Sequence, residues 1–219
     1  MKQMEIKVDL ENIRPMDIEK RSFEIITEEL KGRKLPKDRE LIIKRCIHTS
    51  ADFDYADNLC FSDDAVKKAM DALNKGANIV TDTQMAKSGI NKRSLGRLGG
   101  EVFCFMSDED VASKAKEAGT TRAHVSMDKA AALLDGPLIF AIGNAPTALV
   151  RLYELIEEGK VHPDLVIGVP VGFVNVVQSK ELIMKAKVPY IVARGRKGGS
   201  NIAACIVNAL LYKINNDRG

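Results

Sequence analysis

The 219-residue chain has no tryptophan, four tyrosines and seven phenylalanines, so aromatic residues make up only 5% of it. A surface that stacks successive bases needs more aromatic material, and a net charge of +3 supplies no strong basic stripe along a phosphate backbone. Nucleic acid is therefore not an expected partner. Cysteine is also scarce: Cys46, Cys60, Cys104 and Cys205 are scattered, without a CxxC pair. Cys104 and Cys205 stand in apolar runs, as small buried thiols do in a reducing compartment, so neither a disulfide framework nor a zinc site is indicated. The three histidines, His48, His124 and His162, show neither HExxH nor HxH spacing, and no metal site is expected. No apolar run reaches the ~18 residues a membrane span requires. The start, Met1-Lys2-Gln3-Met4-Glu5, lacks the apolar stretch and cleavage site of a signal peptide. The expectation is a cytoplasmic protein without a membrane partner.

What is present is an ordinary globular balance, 45% hydrophobic and 29% charged. The length suits one substantial domain, expected over 1–219, burying roughly 70–75% of its unfolded surface. Pro15 suits the first turn of a helix that carries Ile18, Phe23, Ile26 and Leu30 on one stripe and ends at Gly32. A second helix is expected over 38–48, and a third from Asp63-Asp64 to Gly76. From there the chain alternates. Apolar runs at 78–81, 101–106, 137–141, 164–169 and 189–193 read as strands. Helical patterns at 108–118, 127–134, 146–158, 174–185 and 200–214 separate them. Strands that are apolar throughout and joined by helices imply a parallel sheet covered on both faces. The expected fold is a three-layer α/β/α, doubly wound sandwich of five mostly parallel strands with an N-terminal helical extension.

In such sheets ligands bind beyond the carboxyl ends of the strands. Four strand ends here carry glycine, proline or short polar residues: Thr81-Asp82-Thr83, Gly143-Asn144-Ala145-Pro146, Pro170-Val171-Gly172-Phe173 and Arg194-Gly195-Arg196-Lys197-Gly198-Gly199-Ser200. The last sets three cations and three glycines directly before a helix, with Ser200 as its expected N-cap. Free N–H groups and the helix dipole favour an anion there. It fits no GxxxxGK[ST] loop, and no GxGxxG follows any strand, so nucleotide binding is poorly supported. Lys180 reads as an ordinary helix-surface lysine, and His162 as a turn residue at the amino end of a strand.

One run stands apart: Arg45-Cys46-Ile47-His48-Thr49-Ser50-Ala51-Asp52-Phe53-Asp54-Tyr55. Imidazole gives or takes a proton near neutral pH. Arg45, three residues earlier, would share a helix face with His48. By residue type alone, the run suits a capping histidine in a helix-to-loop turn as well as a proton carrier. Its wording closely resembles the signature of the precorrin-8X methylmutases of cobalamin biosynthesis. Five further segments resemble that family in the same order. They are Ile18-Glu19-Lys20-Arg21-Ser22-Phe23-Glu24-Ile25-Ile26, Ile79-Val80-Thr81-Asp82-Thr83-Gln84-Met85 and Ile142-Gly143-Asn144-Ala145-Pro146-Thr147-Ala148-Leu149, then the segments 166–174 and 195–200.

The resemblance implies a flavodoxin-like three-layer fold, no cofactor, a corrinoid substrate and product, and a homodimer. It implies an isomerase that moves a methyl group from C11 to C12 of precorrin-8X or cobalt-precorrin-8, giving hydrogenobyrinate or cobyrinate. His48 would then donate and recover a proton. Ser22 and Arg45 would fix the macrocycle close to His48, and Arg122 and the Arg194, Arg196 and Lys197 loop would hold its carboxylate arms. Thr81, Asp82, Asn144 and Ser200 complete the expected substrate contacts. Two other readings stay open on sequence: a non-catalytic tetrapyrrole carrier, and a doubly wound enzyme acting on a phosphorylated small molecule. The resemblance assigns nothing to Met1 through Glu11.

Overall fold

The computed structural model describes residues 10–215, which fall into two compact units divided between Lys34 and Leu35. Met1 through Glu5, for which no signal peptide is expected, lies outside the described residues. In the first unit a short 3-10 turn at Pro15–Asp17 leads into α1, Ile18–Glu29, with Pro15 at the first turn as expected. Ile26 and Leu30 are its buried positions, and Arg21 pairs with Glu11 at 3.0 Å.

The second unit is the α/β sandwich. Its sheet has six strands: β1 Leu59–Phe61, β2 Asn78–Thr81, β3 Val102–Phe103, β4 Leu138–Ile142, β5 Leu165–Gly168 and β6 Tyr190–Ala193, in the order β1-β6-β5-β4-β2-β3. The five expected strands are all there and mutually parallel. The sixth, β1, was not expected; it runs antiparallel on the edge, pairing Leu59 with Ala193 and Phe61 with Ile191. Its three residues are too few to show alternation. The run expected at 101–106 forms a ladder only over Val102–Phe103.

Helices cover both faces. They are α2 Glu40–Ser50, α3 Tyr55–Asn58, α4 Ala65–Asn74, α5 Gln84–Gly89, α6 Lys92–Arg97, α7 Glu109–Glu117, α8 Arg122–Leu133, α9 Pro146–Glu157, α10 Val176–Ile183 and α11 Ser200–Asn215. Side chains alternate across a strand. Phe140, Ile142, Val166 and Val192 therefore pack with Met127 of α8, Leu149 and Leu152 of α9 and Ile183 of α10. The alternate positions Ile139, Ala141, Ile167 and Ile191, all buried, face the layer formed by α4 and α11, and α2 and α5 pack on α11. None of these helices is long and apolar enough to cross a membrane.

The strand order fixes where a ligand site is favoured. The chain moves outward from β2 to β3, then returns past β2 to β4 and continues through β5 to β6. The crevice between β2 and β4 is the topological switch point, where open α/β sheets bind ligands.

Candidate active site

The antiparallel strand explains how the His48 run reaches the carboxyl-end rim. Because Leu59 pairs with Ala193 at the end of β6, β1 begins at that rim, and the residues just before it must lie there too. The Arg194 N–H donates to the Asn58 carbonyl at 2.7 Å and seals the junction. Helix α2 ends at Ser50 with Ala51 in the left-handed conformation (φ 53°), and Asp52 and Asp54 then turn toward the β6 loop. Lys197 meets both of them, at 2.7 Å to Asp52 and 2.6 Å to Asp54. The Lys197 bond holds the Asp52 carboxyl below the ordinary range, with help from the Asp54 N–H. The two carboxylates in turn hold the Lys197 ammonium well above its usual value.

His48 is exposed in the last turn of α2. Arg45, one turn back, is buried, its guanidinium 4.7 Å from the Tyr212 ring centre on α11. An open cleft of about 350 Å³ runs beside Arg45, lined also by Thr49, Met85, Cys205, Asn208 and Tyr212 among others. Thr49 donates its hydroxyl to the Cys205 sulfur at 3.2 Å. The neighbouring Cys46 thiol holds Cys205 below the ordinary thiol value, whereas the Cys205 sulfur and complete burial push Cys46 up.

The switch point is occupied by the protein itself. Asp82, fully buried at the end of β2, accepts the N–H groups of Gly143 (2.9 Å), Asn144 (2.8 Å) and Ala145 (2.6 Å). Burial raises the Asp82 carboxyl pKa, and these three N–H donors oppose the rise. Thr81 is equally buried and gives its hydroxyl to main-chain oxygens of Thr83 and Phe103. Both were expected to contact substrate; in this structure neither has exposed surface, and their polar atoms bond the backbone of the loops. Asn144 presents an exposed side chain above Asp82.

Ser200 was expected to cap α11 but is its first residue, and its hydroxyl meets that of Thr83 at 2.8 Å, joining the β2 and β6 loops. Close backbone approach requires two glycines here. A methyl group on Gly143 would stand 2.6 Å from the Ser200 Cα, and one on Gly198 would stand 2.1 Å from the Val169 oxygen. The Gly199 N–H donates to Val169 (2.9 Å), and the Gly172 N–H to Arg196 (3.1 Å), so the β5 and β6 loops are zipped together.

Of the other expected residues, Arg196 is exposed, its guanidinium 5.3 Å from the ring centre of Phe173, itself 80% exposed. Arg194 leans back to Glu181 at 3.3 Å. Arg122 is exposed and opens α8; the preceding N-cap, Thr121, bonds Thr147 of α9 at 2.8 Å, which sets the start of α8 beside the β4 loop. Ser22 belongs to the first unit, where its hydroxyl donates to the Ile18 carbonyl at 2.9 Å. His162 is exposed before the amino end of β5, as expected. His124 lies 3.8 Å from Asp128 in a groove between α7 and α8 whose charges pair among themselves, Lys129 with Asp108 and Asp110. Among the described residues no cluster of three or more His, Cys, Asp or Glu could hold a metal.

Residues 17–213 match the family model described as precorrin-8X methylmutase. The chain belongs to the precorrin-8X methylmutase family. It is 48% identical over 206 residues to the cobalt-precorrin-8 methylmutase of Salmonella typhimurium, covering 91% of this chain and 96% of that one. With the cobalt-precorrin-8 methylmutase of Priestia megaterium it shares 46% over 198 residues, covering 90% and 88%. The crystal structure of the precorrin-8X methylmutase from Thermus thermophilus superposes with a TM-score of 0.83 at 36% identity, over 91% of this chain and 98% of that one. Methylmutases are isomerases, so the chain is an enzyme of that class, within cobalamin biosynthesis.

Sequence reasoning missed two members of the rim. Lys180, expected on a helix surface, is completely buried on α10 and donates to the Gly195 and Lys197 oxygens, both at 2.8 Å. The Asp52–Lys197–Asp54 bridge was also unassigned; its signal was the Asp-x-Asp after His48 and a lone lysine among glycines.

Proposed function

We propose that this methylmutase moves the methyl group from C11 to C12 of cobalt-precorrin-8, giving cobyrinate, with His48 donating a proton to the macrocycle and recovering it afterwards. The observation that carries the reading is the Lys197 bridge, which ties the turn after His48 to the basic loop before α11. One exposed imidazole and one cationic, glycine-rich loop thus share a rim. A corrin precursor carries acetate and propionate arms around its edge, and Arg196, Arg122 and the loop backbone are donors of the kind that carboxylates require. Exposed Val171, Phe173 and Val174 supply apolar surface on the same rim. The migration is intramolecular and needs no acceptor, so the enzyme's work is to orient one tautomer and manage one proton. General acid–base catalysis contributes about 10²–10⁴-fold, and orientation supplies the rest. The names of the two curated relatives favour the cobalt-loaded form as substrate. A cytoplasmic homodimer belongs to the same reading, by the family resemblance.

The test is an anaerobic absorption spectrum after mixing enzyme with metal-free and cobalt-loaded precorrin-8 separately. Conversion to the product spectrum by the wild type is expected, with a loss of at least 100-fold in rate, but retained pigment binding, for His48→Ala. Full activity in that variant removes His48 from the chemistry. Bound pigment left unchanged by the wild type assigns a carrier instead.

A further inference from the structure

The basic loop between β6 and α11 is held from beneath by a lysine that solvent does not reach. Lys180 is 0% exposed, and its Nζ donates to the main-chain oxygens of Gly195 and Lys197 at 2.8 Å each. An apolar side chain of the same length would fill that space without burying a charge, so packing alone does not account for an ammonium here. Burial pulls its pKa down to about 8, whereas the two carbonyl acceptors favour the charged form. What the ammonium adds is specific to the loop. Gly195, Gly198 and Gly199 all have positive φ, at 82°, 159° and 136°, and the loop lies outside the strand ladder. Its conformation therefore needs fastening from elsewhere.

The fastening continues outward. The Lys197 main chain is bound by Lys180, while its side chain is paired with Asp52 and Asp54. One residue thus separates the buried ammonium from the turn that follows His48. Resting on the methylmutase reading above, we propose that Lys180 is a positioning residue for the reaction. By clamping the Gly195 and Lys197 carbonyls it fixes the loop 194–199 and, through Lys197, the Asp52–Asp54 turn beside His48. It does not touch substrate; it sets where the groups that do so stand.

The experiment compares wild type, Lys180→Met and Lys180→Arg in three readouts: kcat and KM with cobalt-precorrin-8, product affinity from absorption titration, and peptide-level hydrogen exchange. Lys180→Met is expected to raise KM and weaken product binding about tenfold. Exchange should quicken in the peptides covering 194–199 and 50–56, with β4 and β5 as protected as in wild type. Lys180→Arg, which keeps a cation and donors, should recover most of both effects. Unchanged kinetics and loop exchange in Lys180→Met overturn the proposal. So does protection lost equally in β4 and β5, which makes Lys180 a general core residue, or an arginine variant no better than methionine. Should Lys180→Met not fold, Lys180→Gln takes its place, and failure of both to fold also overturns it. If wild type does not convert cobalt-precorrin-8, the methylmutase reading fails by itself, while the exchange data still judge the clamp.

Discussion

Replacing Asp82 separates the worth of its hydrogen bonds from the cost of its charge. The carboxylate is fully buried and accepts three loop N–H groups, Gly143 on one oxygen, Asn144 and Ala145 on the other. Asp82→Asn and Asp82→Ala both remove the same buried charge, so that term cancels when the two variants are compared. The asparagine oxygen retains the Asn144 and Ala145 bonds and turns its amide toward Gly143; alanine retains none. A buried donor left without an acceptor costs about 1–3 kcal/mol. Two such donors, less the donor-against-donor contact that asparagine creates at Gly143, leave alanine about 2 kcal/mol less stable than asparagine. With a urea slope of roughly 2–3 kcal/mol/M, the midpoints should differ by about 0.7–1 M. The chain has no tryptophan, so far-UV circular dichroism is the probe. Midpoints within about 0.2 M of each other, or alanine the more stable, would refute the claim that these three bonds build the β4 loop.

The two aspartates on this rim should respond to acid with opposite signs. The Asp52 carboxyl is lowered by Lys197, so its contribution is present above the unfolded value and lost as pH falls through the folded one; the stability gap between wild type and Asp52→Asn should close in acid. The Asp82 carboxyl is raised by burial, so wild type gains relative to Asp82→Asn as pH falls through its folded value, in the same urea series. Among glycines, Gly143→Ala puts a methyl against Ser200 and Gly199 backbone and should cost about 1–3 kcal/mol through overpacking, with loss of activity. Gly195→Ala meets nothing within 4 Å and carries only the strain of φ +82°, about 1–2 kcal/mol; a larger thermal shift for Gly195 than for Gly143 would reverse the argument.

The sheet was legible because its five parallel strands are buried on both faces and so read as continuous apolar runs, such as Leu138–Ile142. The missing strand, Leu59–Phe61, is three residues on an edge. Helices α3, α5 and α6, of four to six residues, are shorter than the window over which a 3.6-residue period can be counted. At the site the pattern is similar. The rim loops could be named from glycine, proline and strand order, but the meaning of an individual polar residue there depends on what it meets. Asp82 and Lys180 carry the same local signals as ligand contacts or surface charges. The partners that bury them lie 61 to 63 residues away for Asp82 and 15 and 17 for Lys180. Likewise, His48 reaches the rim only because β1 is antiparallel, and its run gives no local sign of that.

Filling the switch point with Asp82 bears on the size of ligand this rim suits. In a sheet of this order the crevice between β2 and β4 is the natural seat for a phosphate, with the β4 loop N–H groups as its donors. Here a side-chain carboxylate takes those donors, so a small anion bound in the usual seat would displace Asp82 and strand a second negative charge beside it. The exposed cations stand instead on loops around that crevice, Arg196 on the loop after β6 and Arg122 at the start of α8. Anionic groups at several points on the edge of one large molecule suit cations carried on separate loops; a single compact phosphate does not. The geometry therefore weighs against an enzyme of small phosphorylated metabolites and toward a ligand spread across several loops, as a carboxylate-fringed macrocycle would be.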